Sequence, residues 1–331
     1  MCPDASVNLT MTASRAVGTA LGVAAAAGIV AFAWGSLIER NRFQVRQEIL
    51  PVLAPDSRPI TILHLSDLHM APWQRQKQDW IARIASITEP DLVITTGDLL
   101  GHEDGLSGVR RAFEPLRERR TPGAFVHGSN DYFAPRGINP FSYFAGPSRR
   151  HSEPRRLDTA ALEEYLADLG WFDVAGRAHA IELRGSELEL IGVDDPHLGL
   201  DRLDRLPSLV EAMREGVPAA EAAGDSSTGS HRVTLALTHA PYRRVLDAFT
   251  TQGADVIFAG HTHGGQVRIP GLPALVTNCD VPREQAQGLS MWSHARRTAW
   301  LEVSAGIGTS IYAPVRFACP PEAVVLTLVA G

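Results

Sequence analysis

Five times in this chain a short apolar run gives way at once to residues that can bind a cation. Ile60–Leu65 leads into Asp67 and His69, Asp91–Thr96 into Gly97-Asp98, and Ala124–His127 into Gly128-Ser129-Asn130-Asp131. Val233–Thr238 then leads into His239, and Asp255–Ala259 into Gly260-His261-Thr262-His263. Runs of this length, bounded by Gly and polar residues, read as strands buried in a sheet. Polar groups just past the ends of such strands are where open α/β sheets place their chemistry. One Asp-x-His arises by chance; five ligand-bearing strand ends in succession constrain the whole fold. Asp67, His69, Asp98, Asn130, His239, His261 and His263 mix carboxylate, amide and imidazole donors, a set that suits divalent Mn, Fe or Zn better than Ca or Mg. Seven donors are too many for one tetrahedral ion but match two adjacent ions sharing a carboxylate.

The segments between these strands complete an α/β pattern. Gln74–Thr88 places Trp80, Ile81, Ile84 and Ile87 at helical spacing, and 105–119 suits a second helix with arginines on its solvent side. The resulting β-helix-β-helix-β order predicts a largely parallel layer with right-handed crossovers. Further on, Ala161–Leu169 reads as a helix, and Ile181–Leu183 and Leu188–Val193 as a hairpin. A short helix spans Tyr242–Phe249, and two last strands lie near Ala299–Val303 and Ala323–Val329. Two stretches break the rhythm. Residues 132–156 gather Tyr132, Phe133, Phe141, Tyr143 and Phe144 with Arg149, Arg150, Arg155 and Arg156, as either a solvated loop or a cap touching an anionic substrate or a membrane. Residues 216–230, rich in Ala, Gly and Ser, read as a mobile insertion.

The N-terminal region divides into a flexible segment 1–15, an uncharged span 16–38 and a tether 39–59, leaving 60–331 as the globular domain. As a helix the span is roughly 34 Å long, enough for a bilayer's hydrocarbon core. It suits a membrane anchor, a signal peptide cut after Ala31-Phe32-Ala33, or a helix buried in the fold. Arg15 precedes it and Arg40, Arg42 and Arg46 follow, so the positive-inside rule favours a cytoplasmic domain, whereas an export signal would place it outside. Pro51, Pro55 and Pro59 set the tether's character.

Composition narrows the partners. Hydrophobic residues make up 44% and charged residues 21% of the chain, so it folds rather than staying disordered. A formal charge of −6 provides no bulk field for gripping nucleic acid. Cys2, Cys279 and Cys319 lack zinc-ribbon spacing; Cys279 and Cys319 are either a disulfide or two buried thiols.

The runs Asp67-Leu68-His69, Gly97-Asp98, Gly128-Ser129-Asn130-Asp131, Thr238-His239 and Gly260-His261-Thr262-His263 resemble the motifs of the calcineurin-like metallophosphoesterase family. Leu65-Ser66-Asp67-Leu68-His69 and Gly260-His261-Thr262-His263-Gly264-Gly265-Gln266 are most similar to its bacterial, membrane-tethered branch. The resemblance covers roughly 60–331 and implies a sandwich of two mixed β-sheets flanked by helices, with the site at one sheet edge. It also implies that Asp67, His69 and His263 hold one ion, that Asn130, His239 and His261 hold a second, and that Asp98 bridges them. Two such ions, about 4 Å apart, generate a hydroxide near neutral pH and neutralise charge developing on a phosphate. The implied activity is hydrolysis of a phosphodiester or pyrophosphate, with a lipid-linked or envelope substrate attractive for a membrane-held enzyme. The alternatives are a nuclease-type phosphodiesterase and a non-catalytic metal-binding scaffold.

The third motif departs from the family's Gly-Asn-His-Asp/Glu. Either Asn130 keeps the ligand role, with Asp131 in the histidine's place, or Ser129 faces the metal and Asn130 replaces the histidine. Both registers lack the histidine that would assist the leaving group. His102, on the loop after Asp98, and Asp131 are the candidates to replace it, against the plainer reading of His102 as a surface residue. Asp194, Asp195 and His197 follow another strand and are candidate substrate residues or a self-capped turn.

Overall fold

Strand alternation in Ile60–Leu65 decides the architecture. Ile60 and Ile62 enter one core, and Leu63 and Leu65 enter another. A strand buried on both faces must be interior to a covered sheet. A computed structural model describes residues 5–135, 155–216 and 232–331, and it shows that sheet. The strands in chain order are β1 (Gln44–Leu53), β2 (Ile60–Leu65), β3 (Leu92–Thr95), β4 (Gly123–Phe125), β5 (Phe172–Asp173) and β6 (Ala178–Leu183). They continue with β7 (Ser186–Gly192), β8 (Arg232–Leu237), β9 (Val256–Ala259), β10 (Gly288–His294), β11 (Arg297–Val303) and β12 (Glu322–Ala330).

These strands form two six-stranded mixed sheets, ordered β1-β12-β2-β3-β4-β5 and β10-β11-β9-β8-β7-β6. Within them β2, β3 and β4 run parallel, as do β7, β8 and β9. The two sheets face each other across a core that includes Ile60, Ile62, Ile94, Leu190, Leu235 and Phe258. His64 belongs to this layer, its ring edge-on to Phe258 at 5.3 Å, and burial pushes its pKa down to about 3. Helices Arg75–Thr88, Gly105–Ala112 and Thr159–Asp168 cover the first sheet's outer face through Ile81, Val109 and Leu162. Leu206–Gly216 and Arg243–Thr251 cover the second through Val210, Val245 and Phe249. At roughly 1.5–3 kcal/mol per fully buried aliphatic or aromatic side chain, these three layers supply the main drive to fold.

Several expectations from sequence are corrected. The 105–119 helix is two helices, Gly105–Ala112 and Glu114–Arg119, broken at Phe113 because Pro115 can sit only in a first turn. Ile87 is exposed, so the buried stripe of Arg75–Thr88 ends a turn earlier. The segment 1–15 is not loose throughout, since one α-helix runs from Ala5 to Ala33. The tether 39–59 contains β1, which pairs with β12 along its length; the ordered domain thus starts near Gln44. Most of the irregular stretch 132–156, from 136 to 154, and the 216–230 insertion after residue 216 lie outside the described residues.

The apolar run is long enough to cross a bilayer, Thr19–Asn41 having a mean hydropathy of 2.0. Leu21, Val23, Ile29, Val30 and Phe32 on it are all exposed, which removes the reading of a helix buried in the fold. Cys279 and Cys319 are free thiols, Cys319 buried.

Candidate metal centre

The expected ligands converge at one end of the sandwich, where β2, β3, β8 and β9 hand over to loops. Backbone bonds stitch these loops together: Asp67 N–H to Gly97 O at 3.0 Å, His69 N–H to Asp98 O at 2.9 Å, and Gly260 N–H to His239 O at 2.9 Å. The turns are tight. Asp67, His69, Asp98, His261 and His263 all adopt left-handed backbone, with φ between 41° and 67°. Such conformations cost about 1–3 kcal/mol each and gather where function requires them. Gly128 is needed for space: a Cβ there would lie 2.3 Å from Asp98 Oδ1 and 2.7 Å from His239 Cε1.

Asp67, His239 and His261 are each aimed by a bond on the far side, whereas His69 Nδ1 is buried without one. A buried relay runs from His64 Nε2 through Thr96 Oγ1 (2.9 Å) and Ser66 Oγ (2.7 Å) to Asp67 Oδ2 (2.5 Å). Oδ2 also accepts from the His261 N–H, while Asp67 Oδ1 is buried without a hydrogen-bond partner. His239 Nδ1 lies 2.7 Å from the Thr96 carbonyl and His261 Nε2 lies 3.2 Å from that of Asn278. A ring nitrogen facing a carbonyl must donate, so the second nitrogen of each neutral ring presents a lone pair. Those second nitrogens, His239 Nε2 and His261 Nδ1, face each other at 3.2 Å. His69 Nε2 and His263 Nε2 likewise face each other at 3.1 Å. Around them, His69 Nε2 and His239 Nε2 lie 3.5 and 3.6 Å from the two oxygens of Asp98, and His263 Nε2 lies 3.6 Å from Asp67 Oδ1.

Facing imidazole nitrogens beside a partnerless carboxylate oxygen are what a cation site presents. Two overlapping groups, Asp67–His69–His263 and Asp67–Asp98–His239, can each hold a metal ion. The electrostatics agree. Burial works to lower the pKa of His239, yet Asp98, Asp67 and Asp195 lift it to about 9. Burial raises Asp67 to about 6, with His239 opposing, whereas His239, His69 and Asn130 overcome burial at Asp98 and keep its carboxyl below the usual range. His69, where burial outweighs the pull of Asp98, falls to about 4. The cluster therefore attracts positive charge, which His239 takes up while burial keeps His69 neutral.

The family model for calcineurin-like phosphoesterases matches residues 60–265. The chain belongs to that family. Its motifs are accordingly those of a family of metal-dependent phosphoric ester hydrolases. A bovine transmembrane protein with a metallophosphoesterase domain is 25% identical over 224 residues, covering 65% of this chain and 43% of that protein. An uncharacterized metallophosphoesterase of Aquifex aeolicus is 21% identical over 277 residues, covering 83% of this chain and 87% of its own length. Among solved structures, a 5'-nucleotidase precursor from Thermus thermophilus aligns with a TM-score of 0.44 at 13% identity, over 82% of this chain and 55% of that one. The phosphoesterase thus spans under half the length of the bovine relative.

The third motif departs from expectation in an informative way. Asn130 grips Asp98 twice, through its backbone N–H to Oδ1 at 2.7 Å and its side-chain amide to Oδ2 at 2.6 Å. The Ser129 hydroxyl instead donates to Asp195 Oδ2. Asp131 does not face the cluster: its oxygens accept from the N–H groups of Leu99, Leu100 and Gly128. A carboxylate so occupied holds two loops together and is poorly placed to give a proton. His102 meets Asp104 and the edge of Trp73, with ring centroids 4.9 Å apart, so it stands at the rim. Neither candidate replacement for the missing histidine is therefore turned toward the cluster.

Asp195 is fully buried, accepts from Ser129 and from the His197 N–H, and is pushed by burial up to about 6. Both of its oxygens are thus engaged by the wall of the site. His197 lies against the site, its ring 4.7 Å from that of His261 and its Nδ1 3.0 Å from the Tyr242 hydroxyl. Asp194 accepts from the Tyr132 hydroxyl at 2.8 Å, tying the third motif to this wall.

Two buried cations escaped the sequence reading. Lys77 donates to the carbonyls of Leu68 and His69, and burial pulls its pKa down to about 7. Arg316, fully buried, donates to the carbonyls of Ala305, Gly306 and Gly308 and reaches within 3.3 Å of His263 Nδ1. Lys77 sits on an amphipathic helix where a solvated lysine is the ordinary reading, and Arg316 sits in a Pro-rich loop with no periodicity to mark it.

Proposed function

We propose that Asp67, His69 and His263 hold one divalent ion, that Asn130, His239 and His261 hold a second, and that Asp98 lies between them. The observation that carries this reading is the facing of His69 by His263 and of His239 by His261, on either side of the Asp98 carboxylate. Mn, Fe or Zn suits these donors. Two such ions, when bound, supply an activated water and neutralise charge on the phosphate. The protein's part is positioning. Asn130 fixes both oxygens of Asp98, and its amide oxygen is the atom left for an ion. The relay through Ser66 and Thr96 fixes Asp67, while Lys77 pins the backbone between Asp67 and His69. His197, with Tyr242 behind it, is placed to contact the phosphate or its leaving group.

The reaction is assigned as phosphodiester or pyrophosphate hydrolysis. Neither Asp131 nor His102 is turned into the cluster, which leaves His197 as the imidazole placed to serve the leaving group. The N-terminal run favours a membrane-held protein with a lipid-linked or envelope substrate. The purified protein, supplied with Mn²⁺ and assayed on nitrophenyl monoesters and diesters, should cleave the diester faster and lose activity to a chelator. Metal binding without hydrolysis of either ester would instead support a scaffold.

A further inference from the structure

The segment after the apolar helix is clamped onto the metal-site loops. The helix ends in a π-helical turn, Trp34–Ile38, and a 3₁₀ turn, Glu39–Asn41. Gly35 is buried there: its carbonyl accepts from the Arg316 N–H at 3.1 Å, and a Cβ on it would lie 2.6 Å from the Arg316 carbonyl oxygen. Glu39, also buried, accepts from the Cys319 N–H at 2.8 Å and the Trp34 indole at 2.8 Å. The same Arg316 reaches His263, and the Cys319 thiol lies 3.3 Å from the His263 carbonyl. One residue therefore separates the end of the apolar helix from an expected metal ligand.

Sheet topology makes the arrangement directional. β1 runs parallel to β12 and β12 antiparallel to β2, so β1 begins at the end of the sheet where β2 delivers Asp67. The helix exit and the metal site share one end of the sandwich. Beside them runs a ledge: Val267 pairs with Phe317, the Arg268 N–H donates to the Phe317 carbonyl, and the Gln266 amide donates to that of Ala313. This ledge leaves Val267, Ile269, Leu272 and Tyr312 42–54% exposed, next to the exposed Trp34, Leu37 and Ile38. Arg42 stacks near the Trp34 ring at 5.8 Å, an aromatic and basic pair of the kind found at membrane–water interfaces.

We propose that this ledge seats in the bilayer surface, and that Trp34–Asn41 is a rigid clamp holding the metal-site end against the lipid headgroups. The partner is a phospholipid surface. Apolar side chains continuous with a spanning helix gain most by entering the interface, where each buried CH₂ contributes about 0.8 kcal/mol. A site held there meets phosphoesters whose tails remain in the membrane. That last step rests on the phosphoesterase reading of the site; the seating of the ledge does not.

The test uses the full chain in phosphatidylcholine–phosphatidylglycerol vesicles, with Cys2 and Cys279 replaced by Ser. An environment-sensitive fluorophore is attached at Ile269→Cys, at Leu272→Cys, or at Asp56→Cys. Asp56 lies beyond the far end of β1, about 30 Å away at the strand rise. Spin-labelled lipids should quench the probes at 269 and 272 several-fold more than the probe at 56. Gly35→Leu, which spoils the clamp, should reduce that difference. Equal quenching at all three positions overturns the proposal, whatever the catalytic outcome. With Mn²⁺, Ile269→Asp/Leu272→Asp should slow cleavage of a nitrophenyl phosphodiester bearing an acyl chain in vesicles about tenfold, leaving the water-soluble diester within about twofold. Equal loss on both diesters would overturn the role in presentation. Failure of the unmodified protein to cleave either ester would reject the phosphoesterase reading, while the quenching still decides the seating.

Discussion

Asn130 holds Asp98 by both carboxylate oxygens, at 2.7 and 2.6 Å, and so sets the plane in which that carboxylate meets His69 and His239. Asn130→Ala removes the amide grip but leaves the backbone bond, so Asp98 should keep its place and lose its orientation. The expected result is a fall of about 10–100-fold in metal affinity or kcat/KM. Titrating activity against Mn²⁺ separates the two. Asn130→His, which restores the family's residue type in the alternative register, should raise rather than lower turnover only if that register is the working one.

Asp67 links metal binding to stability. Its Oδ1 is buried without a partner, so in the absence of metal it destabilises the fold. Asp67→Asn should therefore raise the melting temperature of the metal-free protein, or at least leave it unchanged. For the unaltered protein, Mn²⁺ at 100 times its Kd should add about 2.7 kcal/mol. The variant, which loses the carboxylate of one proposed ion, should show less of this gain in a thermal scan with and without chelator.

His102 and Asp131 are expected to behave oppositely. His102 meets Asp104 and Trp73 at the rim, so His102→Ala should keep kcat within about twofold and affect stability by no more than about 0.5 kcal/mol, as surface substitutions do. Asp131→Ala strips acceptors from three buried N–H groups at about 1–3 kcal/mol each, and should lower both the melting temperature and kcat. A large drop in kcat for His102→Ala, with stability unchanged, would restore it as a catalytic group.

How far the sequence could be read follows from what each residue announces. The ligand-bearing strands were legible because buried parallel strands are apolar throughout and their ends abruptly polar. β1 was not: Gln44–Leu53 mixes Arg46, Glu48 and Pro51 with its apolar residues, which imitates a linker. Pro51 is tolerated because β1 is an edge strand. Arg46, counted among charges flanking the helix, instead bonds Glu302 and Glu322, a long-range match that no local pattern reveals. The roles of Asp131 and Arg316 were hidden for the same reason: each is defined by backbone groups brought near by folding, not by neighbours in sequence.

The cluster of Arg46, Glu302 and Glu322 yields a prediction with a pH sign. Glu302 is fully buried, and burial raises its pKa, with the Arg46 guanidinium opposing. Arg46→Met removes that partner and leaves a buried charge, a change that costs about 3–5 kcal/mol. A carboxyl whose folded pKa exceeds its unfolded value adds most to stability below the unfolded value, and that contribution is lost as pH rises through the folded pKa. The variant's Glu302 should shift further upward, so its deficit against the unaltered protein should be large near neutral pH and narrow as the medium is acidified. Adding Glu302→Gln should recover part of the loss at neutral pH by removing the stranded charge. Melting temperatures of the three proteins across pH decide the matter, and a deficit that stays the same on acidification would show that Arg46 stabilises this end of the sheet by packing and not by charge.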